Sequence, residues 1–415
     1  MTPAAAPYAT AIRWGGRGLL SLGALVAAYL AGAQSLASAT ARSDPALAMA
    51  IAPWDGMLAG RYARAAVGVA SEQPAPAGVT DPRIAAAGKI ARSAIIREGM
   101  SLDAVLTLGI AALARGNNAQ ARGYLNYARA LSKRNLQVQI WAIEDAVARS
   151  GIPQVLREYD IALRTSKKGR DVLFPVLAKA ISEPSVRRGT IDLLNHQPYW
   201  APSFVFFLAR EGPDPVATAE VFRELRRRGF PVAEGAVAIL IDKLIGAGAL
   251  QEAWGFYAAA HPTARRDRSR DPRFAEERLG RSVFDWQFFG DGSNLASIER
   301  GEEGNVLSIA VGAGGGGLLV RQAQLLSPGR YVLRGQGSVP GQSEAVRPYW
   351  ELRCADDRNL GQVALPATAG STGFMQNFIV PADCPVQQLS LIARPHDQAD
   401  AVEGTINAIQ LQPAE

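Results

Sequence analysis

The chain has 415 residues, more than one compact core accommodates, and its length predicts two or three domains. With 48% hydrophobic and 20% charged residues, it is neither a disordered chain nor a collagen-like fibre. The net charge of +6 is spread thinly, which suits an anionic surface but argues against a nucleic-acid partner. Three histidines and two cysteines leave little material for a metal site, so we expect no metal and no cofactor. A single apolar stretch of membrane length excludes a multi-span transporter.

The N-terminal segment predicts the compartment of the protein. Residues 1–17 form a basic region with Arg13 and Arg17 and no acid. An uncharged stretch follows over 18–40, and its most apolar part runs from Leu19 to Ala33. Basic residues ahead of an apolar stretch keep the N-terminus in the cytoplasm and direct the following chain across the membrane.

Two fates of this segment stay open. Ala37-Ser38-Ala39 is a small-x-small triplet that a signal peptidase cuts, and cleavage would release a secreted or periplasmic protein. Alternatively, about 20 residues suffice to span a bilayer, and the segment remains as an anchor, the outcome we favour. The expected location is the bacterial inner membrane, with a single pass, a cytoplasmic N-terminus and the bulk of the chain in the periplasm.

The two cysteines agree with export. Cys354 lies in a strand-like run and Cys384 follows another one. Two cysteines in one domain of an exported protein predict a disulfide, and a pair of buried free thiols is the alternative. Their spacing matches no zinc-binding pattern.

Residues 45–262 are rich in Ala, Leu and Arg at helical spacing, with regular breaks. One unit combines Leu108 and Gly109 in a first helix, Gly116 in a turn, and Ala121 and Ala128 in a second helix. Small residues at these positions let two antiparallel helices approach closely. The pattern resembles the tetratricopeptide repeat, a two-helix unit of about 34 residues.

This resemblance has departures. Ala112 stands where the repeat usually has an aromatic residue, and Lys133 where a proline often closes it. Weaker units fit 237–260 and 141–162. The resemblance implies a solenoid whose concave side holds a partner protein. An ordinary helical bundle without a ligand is the alternative.

A charged segment over 263–282 separates this region from the rest. Mixed charge with little apolar content predicts an exposed linker or short helix, and a site for anionic headgroups or an acidic glycan is the alternative reading. Its basic residues are Arg265, Arg266, Arg268, Arg270, Arg273, Arg278 and Arg281, which alternate with Asp267, Asp271, Glu276 and Glu277.

From 283 to 415 the period changes to short alternating runs between Gly, Pro, Asn and Asp, which predicts an antiparallel β-sandwich. The strand, Ser327-Pro328-Gly329 turn and Tyr331-containing strand within 320–333, with a closing strand over 406–411, resemble jelly-roll carbohydrate-binding modules. The predicted fold class is therefore α+β and multidomain: an N-terminal transmembrane or signal helix, a tetratricopeptide-like helical solenoid and a C-terminal jelly-roll β-sandwich.

The resemblance implies a glycan-binding surface. Aromatic rings stack on sugar C–H faces, while amides and carboxylates bind the hydroxyl groups. Adjacent strand residues point to opposite faces, so only one of two neighbouring aromatic residues belongs to the core. The alternative is that every aromatic side chain packs between the sheets. The candidate glycan-binding residues are Tyr349, Trp350, Phe374, Asn377 and Asp357, with Gln336 and Gln342 as further polar partners.

Motifs that look catalytic lack the context that they need. The run 312–317 satisfies G-x-G-x-x-G, yet no acid occurs from Val306 to Val339 and no crossover helix can follow, so we expect a flexible hairpin loop. The acid pairs Glu302-Glu303 and Asp356-Asp357 fit solvent-facing loops better than a glycosidase. We expect no catalytic residues and no enzymatic activity.

The whole pattern favours a non-enzymatic, membrane-anchored periplasmic scaffold for the assembly or export of a surface polysaccharide. On this hypothesis the helices bind a protein and the sandwich binds the glycan, so that tethering raises their effective concentration. Two alternatives stay open: a scaffold of a pilus or secretion apparatus with protein contacts only, and a glycan-processing enzyme.

Overall fold

A computed structural model describes residues 7–72, 81–275, 282–301, 304–397 and 400–414. Within these residues, fourteen helices precede ten strands, and the strands form two antiparallel five-stranded sheets. The predicted fold class is confirmed. The chain divides into two compact units, Met1–Leu173 and Phe174–Glu415, so the division does not follow the change from helices to strands.

Every secondary-structure element assigned to the described residues of the first unit is a helix. A helix that begins in this unit, α9 (Gly169–Ala180), includes the division between the units. The preceding helices are α1 (Pro7–Thr40), α2 (Pro45–Ile51), α3 (Gly56–Glu72), α4 (Pro82–Arg97), α5 (Leu102–Ala114), α6 (Asn118–Leu131), α7 (Leu136–Arg149) and α8 (Ile152–Thr165).

Helix α1 contains the one candidate membrane span among the described residues, Leu19–Thr40, with a mean hydropathy of 1.6. None of its most apolar window is buried in the protein. Its last turns do pack: Ala37 is fully buried in a cluster with Ala48 and Leu58. The predicted basic region over 1–17 falls partly outside the described residues, which begin at 7.

The predicted two-helix unit forms α5 and α6. Gly116 makes the turn with φ of +74°, and the side chain of Asn117 caps α6 by accepting a hydrogen bond from the Gln120 amide. A Cβ on Gly109 would lie 2.9 Å from side-chain carbons of Leu125, so glycine allows this close approach. Tetratricopeptide identity stays a prediction. The other small or apolar positions of the pattern are buried, namely Leu108, Ala121 and Ala128.

The second unit combines helices with the sandwich. Its helices after α9 are α10 (Pro184–Asn195), α11 (Ala201–Glu211), α12 (Pro215–Arg227), α13 (Glu234–Gly246) and α14 (Leu250–Ala260). The strands are β1 (Gln287–Phe288), β2 (Asn294–Gly301), β3 (Gly304–Val311), β4 (Gly317–Gln324), β5 (Gly329–Ser338), β6 (Tyr349–Cys354), β7 (Asn359–Ala364), β8 (Thr372–Val380), β9 (Gln387–Ala393) and β10 (Val402–Pro413).

The two sheets enclose one apolar core. Sheet A has the order β1-β4-β9-β6-β7, and sheet B has the order β2-β3-β10-β5-β8. Trp350 is fully buried between them, in edge-to-face contact with Trp286 at 5.6 Å between ring centroids. The predicted disulfide between Cys354 and Cys384 is confirmed, and both residues belong to this core.

The charged segment is less exposed than the sequence predicts. Arg270 is 6% exposed, and burial lowers the pKa of its guanidinium to about 10, so it stays charged at neutral pH. Its Nε donates to the carbonyl of Phe284 (3.0 Å), Nη1 donates to Oε1 of Gln324 (3.0 Å), and Nη2 donates to the carbonyl of Ala323. Its backbone amide donates to Oε1 of Gln322 at 2.9 Å.

The expectation of a solvated linker is therefore wrong for Arg270, because backbone carbonyls and glutamine amides replace its water. Beside it, the hydroxyl of Tyr257 donates to Asp285 at 2.9 Å, which joins α14 to the start of the sandwich. The chain then continues along β10: the amide of Ser269 donates to the Leu411 carbonyl, and the amide of Ile409 donates to the Pro272 carbonyl. Four predicted linker charges, Glu276, Glu277, Arg278 and Arg281, lie outside the described residues.

Replacing Arg270 tests this network. In Arg270→Met the carbonyls of Phe284 and Ala323 and the amide oxygen of Gln324 lose their donors, which costs about 1–3 kcal/mol for each buried group. We expect the free energy of unfolding to fall by about 3–5 kcal/mol in chemical denaturation of the full chain. Arg265→Met, at a side chain 63% exposed, is the control and should change it by less than about 0.5 kcal/mol. Equal effects of the two substitutions would contradict this account.

Removing the disulfide provides a second test. The bond spans a sequence separation of 30, and the chain-entropy estimate for such a loop is about 3–4 kcal/mol. We expect Cys354→Ala with Cys384→Ala to lower the free energy of unfolding by this amount. A reducing agent should lower the stability of the unsubstituted protein similarly and leave the double variant unchanged. If the reductant also destabilised the double variant, which has no disulfide, its effect could not be assigned to reduction of this bond.

Candidate functional site

The predicted glycan residue Tyr349 lies on the outer face of sheet A, among polar side chains. Strand alternation sends Trp350 and Leu352 into the core and therefore Tyr349, Glu351 and Arg353 outward. Tyr349 is half-buried at the first position of β6. Its strand neighbours on the two sides are Ile392 and Ala364.

Two arginines surround Tyr349. Strand pairing of Tyr349 with Ile392 brings Arg394, just after β9, beside Arg347, just before β6. The guanidinium carbon of Arg394 lies 4.6 Å from the centroid of the Tyr349 ring, and its Nε donates to the carbonyl of Arg347 at 3.1 Å. Arg347 donates from Nη1 to the Leu365 carbonyl at 3.1 Å. The hydrogen bonds of both arginines go to backbone carbonyls, and among the described residues neither forms an ion pair with a carboxylate.

A third arginine, Arg353, lies on the same face of β6 as Tyr349, four residues further along the strand. Nε of Arg353 donates to Oε1 of Glu351 at 2.8 Å, and this hydrogen bond raises the pKa of Arg353. Its Nη1 donates to the Asp357 carbonyl at 3.1 Å, so the hairpin turn also orients it. Arg347, Arg353, Arg394 and Tyr349 together form a surface that we call the arginine face.

Glu351 is the one acidic residue in the five described strands of sheet A. It is 5% exposed, and its Oε2 has no hydrogen-bond partner among the described residues. Its role in this geometry is to hold Arg353 in place. Glycoside hydrolysis by the usual mechanisms needs two carboxyl groups that flank the scissile bond, and these strands supply one.

The predicted glycan residues do not form one site. Trp350 is wholly buried, so its assignment to a glycan surface is wrong: β6 places it in the core and its neighbour outside. Phe374 and Asn377 lie on β8, in the other sheet, and their odd spacing directs them to opposite faces. Phe374 packs against the core with its ring over Gly335, and Asn377 is exposed. Asp357 is exposed in the β6–β7 turn, near Arg353.

Sequence reasoning found Tyr349 and missed the three arginines. The two that contact or flank the ring lie 47 residues apart and meet only through the register of β6 with β9. The alternation of β6 could have predicted Arg353, because Tyr349, Glu351 and Arg353 occupy every second position of the strand and therefore share one face. No local signal marks Arg394.

The glycine run over 312–317 connects β3 to β4, and these strands belong to different sheets. It is therefore a connection between the sheets and not the expected hairpin loop. Gly314 and Gly317 have φ of +73° and +98°, which only glycine adopts readily. The pair Glu302-Glu303 lies outside the described residues. Within the described part of the chain, no group of three His, Cys, Asp or Glu side chains is arranged to hold a metal ion.

The helices of the second unit carry a groove between α12 and α14. It encloses about 380 Å³, with Phe256 at its apolar side and Gly255 leaving space beside it. The guanidinium carbon of Arg223 lies 5.8 Å from the centroid of the Phe256 ring, and Arg226 also lines the groove. The carboxylate-bearing residue Glu252 lines the same groove.

No protein-family model matches the chain, and no curated protein sequence matches it. Solved structures are similar to its C-terminal β-sandwich. The C-terminal CBM6 of a marine laminarinase from Zobellia galactanivorans is 17% identical, with a TM-score of 0.20, over 29% of this chain and 90% of the module. The CBM6 of Cellvibrio mixtus lichenase 5A, solved with cellotriose, is 12% identical, with a TM-score of 0.22, over 35% and 95%.

A third similar structure is the enzymatically active domain of tailspike protein 4 of bacteriophage CBA120. It is 8% identical, with a TM-score of 0.25, over 34% of this chain, and the match spans only 20% of the tailspike chain. The C-terminal domain thus resembles carbohydrate-binding modules in fold. Similarity at this level carries no information on ligand or reaction.

Proposed function

We propose that the protein is a non-enzymatic scaffold of the bacterial inner membrane that binds a surface polysaccharide during its assembly or export. Its N-terminus lies in the cytoplasm, α1 crosses the membrane, and the chain after α1 lies in the periplasm. The apolar helix α1 and the disulfide, which forms in oxidising compartments, support an extracytoplasmic location. The sandwich binds the glycan and the helices bind a partner protein. Because one chain carries both sites, each bound partner raises the effective concentration of the other.

One observation carries the glycan part of the proposal: Tyr349 on the arginine face, with the Arg394 guanidinium 4.6 Å from its ring centroid. Arg394 covers one face of the Tyr349 ring, and we propose that sugar C–H groups contact the other face while guanidinium groups donate to hydroxyls and carboxylates. Arg347 and Arg394 have no described carboxylate partner, so the face favours a polysaccharide that carries acidic groups.

The proposal that the protein is not an enzyme rests on the same face. Glu351 is directed to Arg353, and no second strand carboxylate of sheet A stands opposite it. The groove beside Phe256 is the proposed site for the protein partner.

Polysaccharide retention tests the glycan site. Detergent-solubilised full chain is run in affinity gels containing envelope polysaccharide of the source organism, polygalacturonate or neutral dextran. We expect Tyr349→Ala to weaken retention about tenfold, because a central aromatic contact contributes at least about 1.4 kcal/mol. Arg394→Gln should weaken retention by the acidic polymers and spare the neutral one.

Asn377→Ala is the matched control, since this exposed residue lies on the other sheet and should leave retention unchanged. Trp350→Ala is unsuitable, because it empties a core position and costs about 3–5 kcal/mol. Failure of the unsubstituted protein to bind any of the three polymers would overturn the glycan proposal.

A second candidate, a pilus or secretion scaffold with protein contacts only, is favoured by edge strand β8. Met375 and Ile379 project from it, 60% and 65% exposed. Exposed apolar side chains on a sheet edge are typical of protein contacts.

This candidate predicts that Met375→Ser with Ile379→Ser disrupts a protein assembly in native membranes, measured by native gel electrophoresis. The control is Leu295→Ser, because Leu295 is 59% exposed on the opposite edge strand of the same sheet. An assembly that persists in the double variant would count against this candidate.

A further inference from the structure

The first unit has a cluster of exposed apolar side chains at the end from which α1 emerges. Leu47, Trp54 and Met57 lie on or between α2 and α3, while Ile96 and Met100, 80% and 72% exposed, lie at the end of α4 and just after it. We call these five residues the membrane foot. Scattered exposed apolar residues are ordinary, but several at one end of a unit require a partner.

The path of the chain brings this cluster back toward the apolar part of α1. After Thr40 the chain turns, and α2 packs back along α1. Asp55, just after Trp54, accepts a hydrogen bond from the side-chain amide of Gln34. Gln34 lies six residues before Thr40, about 9 Å along the helix axis. The turn that carries Trp54 is therefore level with the end of the most apolar stretch of α1.

Contacts between α3 and α4 place the remaining foot residues nearby. Nη1 of Arg97 donates to the carbonyl of Pro53. A Cβ on Gly56 would lie 2.8 Å from the Ala94 carbonyl oxygen and 2.7 Å from the Cβ of Glu98. The end of α4 thus closely approaches the start of α3, next to Trp54.

We infer that the membrane foot rests in the headgroup layer of the same bilayer that α1 crosses. This inference relies on retention of α1, as in the proposed function, but not on glycan binding. Tryptophan is enriched at the membrane–water interface, where its ring has an apolar body and a polar N–H. The exposed Arg42 and Arg97 beside the foot are able to pair with lipid phosphates. The exposed acids Asp44 and Glu98 lie next to them, so the apolar side chains, and not the net charge, carry the inference. We favour the bilayer as the partner of the membrane foot because a membrane-spanning α1 places the bilayer surface at the level of Trp54.

The position of Ala37 supports retention of α1. It belongs to the triplet that a signal peptidase would cut, yet it is fully buried within a continuous helix, and Ala41 is buried in the same cluster. Cleavage after Ala39 would remove one side of this cluster.

Site-directed fluorescence in proteoliposomes tests the inference. The described cysteines are both in the disulfide, so a single added cysteine accepts an environment-sensitive fluorophore. Full chain carrying Met100→Cys, or Trp54→Cys as a second variant, is labelled and placed in phosphatidylethanolamine–phosphatidylglycerol vesicles with nitroxide on the headgroups. Val147→Cys is the control, because Val147 is 63% exposed on α7.

We expect headgroup nitroxide to quench the label at position 100 or 54 at least about twofold more than the label at 147, as interfacial placement requires. Equal quenching at the foot and at 147, with full access to a water-soluble quencher, would overturn the inference. Protection from water without nitroxide quenching would also overturn it and would indicate a second copy of the chain.

The intact mass of the protein from native membranes is measured first and must include α1. A mass that corresponds to a chain starting after Ala39 would remove the basis of the inference, independently of glycan binding.

Discussion

The second unit depends on a buried cation. Arg270 carries a full charge inside the protein, and its guanidinium donates to carbonyls and to a glutamine side-chain oxygen from β4 and from the segment just before β1. The nearby carboxylate of Asp285 also favours the charged form. Its guanidinium also lies 5.3 Å from the ring of Phe284 and 5.9 Å from that of Tyr257 on α14. One side chain therefore joins the last helix, the connecting segment and sheet A.

This arrangement explains why the compact units do not separate helices from strands. The segment after α14 pairs with the end of β10 and thereby lengthens sheet B, while Trp286 enters the core against Trp350. The same core position of Trp350 forces Tyr349 outward. The arginine face is thus a consequence of how the core is filled: residues inside β6 determine which side chains are presented outside.

Local patterns predicted the architecture because they depend on neighbouring residues. Turn glycines and buried small residues marked α5 and α6, and short alternating runs marked the sandwich. The edge strand β2 shows this alternation poorly: its sequence, NLASIERG, has a mixed burial pattern. Contacts between distant segments were not predictable in this way. In the sequence, Arg270 belongs to a charge run typical of a solvated segment, and the contact of Arg394 with Tyr349 depends on the register of two strands.

The junction between α1 and the first unit has a mechanical consequence. Because Ala37 and Ala41 are buried and Gln34 bonds to Asp55, no flexible spacer separates α1 from α2 and α3. In the proposed membrane-anchored form, α1 and the adjoining α2–α3 segment would therefore move together. A change in bilayer thickness that tilts α1 would turn this segment by the same angle, so that lipid composition would set its orientation to the membrane.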